Sequence, residues 1–146
     1  ERVEADVAML AASRMTDAHH KALKQLINEA RACARRGTEL VSTFLTKDKD
    51  IHLCFAQITG NPLYISILKT IHENIRRYYD DFLVMEQPEM NENLKDLEDV
   101  VNAMADGEVE KSGQLMRAHV RRFNTYMEAR ERQHAANAQT MVNTTV

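Results

Sequence analysis

Glycine and proline are scarce in this chain, four and two in 146 residues. Sandwiches, barrels and βαβ arrays need a turn about every 8–12 residues or a regular helix–strand alternation, so this scarcity excludes them and leaves an all-α fold. A basic surplus is also lacking: 19 Lys+Arg stand against 22 Asp+Glu, a net charge of −3. The chain therefore has no electrostatic footprint of its own for nucleic acid or for an anionic membrane surface. No run approaches the roughly 18 uncharged apolar residues of a membrane span, and no signal peptide opens the sequence, so a soluble, cytoplasmic protein is expected. Cysteine is limited to Cys33 and Cys54, whose spacing fits neither a metal site nor a disulfide framework; both read as reduced, packed thiols. Tryptophan is absent, and the eight methionines read as core filler. The length suits one domain or part of one. No initiator Met and no capping residue precede the helical pattern that begins at Glu1, so a preceding segment in a longer protein is expected.

Caps and periodicity divide the chain into six helical segments. The first, with Val3, Val7 and Leu10 on one stripe, runs to about Ser13. Thr16 offers a hydroxyl cap and Asp17 a first-turn charge for a second helix to about Arg36, closed by Gly37. A third is expected from about Glu39 to Thr59, ending at Gly60. Asn61-Pro62 joins a cap to the residue favoured at the first helical position and opens a fourth, to about Met85. Glu86-Gln87-Pro88-Glu89 reads as a loop, with a fifth helix from about Asn91 to Asp106. Gly107 precedes a sixth that begins near Glu108 and passes Arg132. Residues 1–136 then form the domain, and 137–146 a polar tail expected to fray. Helices of this length joined by short connections favour an antiparallel bundle of about six helices enclosing a ligand pocket.

Ionisable residues interrupt the apolar stripes. In the third helix Asp48 and His52 lie among Phe44, Leu45, Ile51 and Phe55 and, at i and i+4, one above the other. A carboxylate and an imidazole so placed either ligate one divalent metal or hydrogen-bond each other. His119 falls inward on the sixth helix between Met116 and Phe123, and a second inward histidine favours a bundle-core metal site. His72 lies on the inner stripe of the fourth helix with Leu68, Ile71, Ile75, Tyr79 and Phe82; it reads as a site residue or a pocket wall. Arg76, one turn further, is placed to hold a carboxylate in its fork. His19, His20 and His134 read as solvated.

Asp48-Lys49-Asp50-Ile51-His52, followed by Gly60-Asn61-Pro62-Leu63, resembles the Asp-x-x-Phe-His and Gly-Asn-Pro-Leu of the C-terminal effector domain (FCD) of FadR-like members of the bacterial GntR family of transcription regulators. Asn102-Ala103-Met104-Ala105-Asp106-Gly107 is similar to that family's Ala-Ile-x-x-Gly-Asp turn, and Met116-Arg117-Ala118-His119 to its Met-x-x-His. Val3-Glu4 through Leu10-Ala11-Ala12 fits the domain's first helix. The resemblance covers about residues 1–130. It implies a helical bundle that binds a small organic acid effector, dimerises with a second copy, and reaches operator DNA through a winged helix-turn-helix domain ahead of it. It also implies a divalent metal, such as zinc, nickel or manganese, held by Asp48, His52 and His119. The family's fourth ligand, a histidine, falls on Leu97, which cannot ligate; Asn93 and His72 are the available substitutes. A metal-free pocket lined by Leu97, Ile71 and Tyr79, taking an acyl or aromatic ligand, is the alternative to a metal-bound acid. A third reading is a structural bundle whose polar cluster binds nothing. An enzyme is not expected, since the inward carboxylate is already a ligand candidate and leaves no evident general base.

Overall fold

The computed structural model describes residues 1–79 and 85–144, and the side chains of 1–77 and 85–137. Among them are six α-helices and no strand: α1 (Arg2–Ala12), α2 (Asp17–Arg35), α3 (Val41–Ile58), α4 (Pro62–Tyr79), α5 (Gln87–Ala105) and α6 (Val109–Thr144).

Local chemistry sets most of the boundaries. The Thr16 hydroxyl accepts from the backbone N–H of His19, and the Asn61 side chain accepts from that of Leu63, so both expected caps are formed. Gly37, Gly60 and Gly107 all adopt positive φ, between 64° and 74°, where a side chain would be strained. Two helix starts and the end of the last helix differ from the sequence expectation. A 3₁₀ turn over Gly37–Leu40 delays α3 to Val41. Conversely α5 starts at Gln87, because Pro88 sits in its first turn, where proline's missing N–H costs nothing, rather than in a loop. The last helix continues to Thr144, through most of the stretch expected as a polar tail.

The helices form a bundle with α1 at its centre. α1 packs along α6 and also meets α3, α5 and α4, while α2 lies against α3 and α5, and α5 against α6. Glu1 meets Arg121 and Ala8 meets Ser112, so α1 and α6 run antiparallel. Asp96 meets His119 and Glu92 meets Arg122, which makes α5 and α6 antiparallel as well. Small residues let α1 occupy the centre: Ala5, Ala8 and Ala11 are fully buried. Across from them Gly113 of α6 has no room for a side chain, since a Cβ there would lie 2.5 Å from Met9 Cγ. Around this seam Phe44, Ile51, Phe55, Leu94, Leu97, Met104 and Met116 fill the core. At the other end the Arg14 guanidinium donates to the Thr59 carbonyl, tying the α1–α2 turn to the end of α3.

Candidate metal centre and its cavity

A cavity of about 630 Å³ opens between the first turns of α1, the first half of α3, the middle of α4 and α6 around His119. Its apolar wall includes Leu45, Ile71, Ile75, Val120 and Phe123; its polar end is formed by Glu4, Asp48, His52, His72 and His119.

His52 is the hub. It is 2% exposed, so every polar atom it carries must find a partner inside the protein. Its Nδ1 lies 3.0 Å from Glu4 Oε2, and its Nε2 lies 3.3 Å from His119 Nε2 and 4.0 Å from Asp48 Oδ2. The other Glu4 oxygen is 3.2 Å from His72 Nε2, so one carboxylate joins imidazoles from α3 and α4. The His52 ring also stacks on that of His119 at 5.3 Å between centroids and tilts against His72 at 4.6 Å. On the far side of His119, Nδ1 lies 3.7 Å from Asp96 Oδ2, which Arg122 also approaches at 3.4 Å. Asn93 donates to Asp48 Oδ1 at 2.6 Å and orients that carboxylate.

Both ligand-candidate imidazoles therefore present Nδ1 to a carboxylate and Nε2 to each other. The Glu4 carboxylate holds Nδ1 of His52 as its protonated nitrogen, and Asp96 faces Nδ1 of His119 at ion-pair distance, so the Nε2 atoms of both rings converge. With zinc–nitrogen bonds of roughly 2.0–2.1 Å, two tetrahedral ligands stand about 3.3 Å apart. The observed Nε2–Nε2 separation matches that edge. Asp48, His52 and His119 each offer one ligand atom, all within 4.8 Å of one another, so the donor set fits a divalent cation. Without a metal, burial works against charge on His52, but the Glu4 carboxylate outweighs it by charge and hydrogen bonding, with Asp48 adding to the effect. The net result raises the His52 pKa to about 9. Burial likewise opposes ionisation of Glu4, yet the charge and hydrogen bond of His52, then those of His72, hold its carboxyl well below the ordinary range. The metal-free centre is thus a buried ion pair, and a protonated His52 donates to Glu4 on one side and to His119 on the other.

The expected site residues separate into two groups. Asp48, His52 and His119 converge, with His72 against them and Asn93 behind Asp48. Arg76 lines the cavity but is exposed. Leu97 is fully buried in the core and is not among the described residues lining the cavity. The Tyr79 side chain and Phe82 lie outside the described residues. Glu4 and Asp96 were not anticipated as site residues. Glu4 shares the buried face of α1 with Ala8 and Ala11, a carboxylate at the head of an alanine stripe. Asp96 shares the stripe of Asn93 and Val100 on α5.

Comparison with known proteins agrees with this architecture. The profile of the FCD domain matches residues 1–122. No curated protein matches the chain. Among solved structures, Escherichia coli McbR/YncC is similar at a TM-score of 0.75 and 11% identity, over 87% of this chain and 63% of that one. Streptococcus agalactiae GntR is similar at a TM-score of 0.65 and 20% identity, over 88% and 52%. The chain thus spans less than two thirds of the length of either structure. At these identities the two structures speak for the fold, while the profile covers most of the chain. The chain belongs to the FCD domain family, the effector-binding domains of GntR-family transcription regulators.

Proposed function

We propose that this domain senses a small organic acid that enters the cavity and meets a divalent metal held by Asp48, His52 and His119. The convergence of the two Nε2 atoms at 3.3 Å, each imidazole backed by a carboxylate at Nδ1, carries this reading. When bound, the metal supplies a fixed positive charge and an open position for a carboxylate oxygen. The chain's own residues do the rest. Glu4 holds the orientation of the His52 ring, Asp96 sets a negative charge behind His119, Asn93 holds Asp48, and Arg76 stands at the cavity wall as an anchor for the acid.

Occupancy would be passed on through α1. Glu4 ties α1 to His52 and His72, so an ion that changes the protonation of His52 changes what holds α1 in place. In the whole regulator, a cytoplasmic homodimer, that change is a coupling free energy between the cavity and operator DNA, which is bound by an N-terminal winged helix-turn-helix domain. The test is elemental analysis of protein purified without chelator or metal-affinity tag, compared with His52→Ala. Near-stoichiometric metal in the parent and its loss in the variant are expected. Absence of metal from both, after reloading with zinc and with nickel, would make the cluster a polar pocket wall and overturn the reading.

A further inference from the structure

The walls of the cavity are unevenly paired. Its acidic residues are all engaged: Glu1 with Arg121 at 3.3 Å, Glu4 with His52 and His72, and Asp48 with Asn93. Its basic residues are not. Arg2 from α1, Lys49 from α3 and Arg76 from α4 line the same cavity, and none has a hydrogen bond or ion pair with a described residue. The cavity's charged side chains left without a partner among the described residues are all basic, and around a concavity with apolar walls their charges reinforce one another. Such a wall is complementary to an anion.

The positions of these bases say where the anion's charge should lie. Arg76 follows His72 by one helical turn, about 6 Å along α4, and so stands away from the metal ligands. An acid bound through one carboxylate at Asp48, His52 and His119 leaves this second positive region unanswered. A guanidinium fork pairs a carboxylate in two parallel hydrogen bonds, and Lys49 and Arg2 add point charges of the same sign.

We infer that the effector is a dicarboxylate of a few carbon atoms, with one carboxylate at the Asp48–His52–His119 end of the cavity and the other held by Arg76, Lys49 and Arg2. This inference rests on the acid-sensing reading above and adds the chemical class of the acid. The apolar wall of Ile71, Ile75 and Val120 between the two ends suits the methylene chain.

The discriminating experiment titrates zinc-loaded protein calorimetrically with succinate and with butyrate, four-carbon acids that differ by one carboxylate. Succinate is expected to bind at least tenfold more tightly. In the triple variant Arg2→Ala, Lys49→Ala, Arg76→Ala the two affinities should converge to within threefold, because succinate loses more than butyrate. Equal affinities in the parent would overturn the inference while leaving acid sensing intact. A succinate preference that survives in the triple variant would overturn the assignment to these three residues. Failure of both acids to bind, alone or at raised concentration, would overturn acid sensing itself and the inference with it. Arg2 and Arg76 are exposed and Lys49 is half-buried, and a melting curve of each variant verifies the fold.

Discussion

Glu4 and His52 show how burial turns protonation into stability. The pair is charged in the folded metal-free protein, whereas in the unfolded chain each group titrates at its ordinary value. A raised histidine pKa contributes stability fully below 6.5, and that contribution disappears as pH rises through about 9. A lowered glutamate pKa contributes above 4.5 and is lost only as pH falls below the usual carboxylate range. Chelator-treated protein should therefore lose stability steadily between pH 6.5 and 9, read as the denaturant midpoint. In Glu4→Gln that slope should flatten, because the neutral amide no longer holds His52 charged. A slope equal in both proteins would remove Glu4 as its cause. His52 was legible in the sequence because a histidine breaks an otherwise apolar stripe one turn from a carboxylate. Glu4 was not: alanines on its stripe are compatible with either an exposed or a buried face, and only packing against α3 and α6 decides between them.

At the scale of elements, the site depends on how closely α1 approaches α6. That approach is set by Gly113, where a Cβ would meet the Met9 side chain at 2.5 Å and the Ala5 carbonyl oxygen at 3.4 Å. Gly113→Val should push the helices apart and cost about 1–3 kcal/mol of stability, the usual range for overpacking. It should also weaken metal retention, since Glu4 and His119 sit on the two helices that part. Unchanged melting temperature and metal content would show that Met9 simply moves aside. Capping signals located α2 and α4 well because each cap is local chemistry between neighbours in sequence. The start of α5 was misplaced because proline reads as a breaker in both a loop and a first helical turn, and only the observed start at Gln87 distinguishes them.

For the whole molecule, a metal at the proposed site would link binding to folding, because Asp48 and His52 come from α3 and His119 from α6, and the unfolded chain brings them together only by chance. At a free metal concentration about 100-fold above Kd, the stabilisation is roughly 2.7 kcal/mol. For a chain of this size that is a rise in melting temperature of several degrees, about 2–4 °C per kcal/mol. Adding chelator to metal-loaded protein should reverse it, and His119→Ala should show neither the rise nor the reversal. An equal rise in His119→Ala would place the ion elsewhere.

Fold class, five of the six helix starts to within a residue or two, and the three ligand candidates follow from the sequence, because scarcity of turn residues, capping groups and stripe periodicity act over a few neighbouring positions. The tertiary structure alone decided that Asp48, His52 and His119 meet, that Glu4 and Asp96 stand behind the two imidazoles, that Asn93 holds Asp48, and that Leu97 belongs to the core. Those facts depend on which helices are neighbours and at what height their residues face. Side-chain periodicity marks the inward face of a helix but carries no label for the helix it will meet.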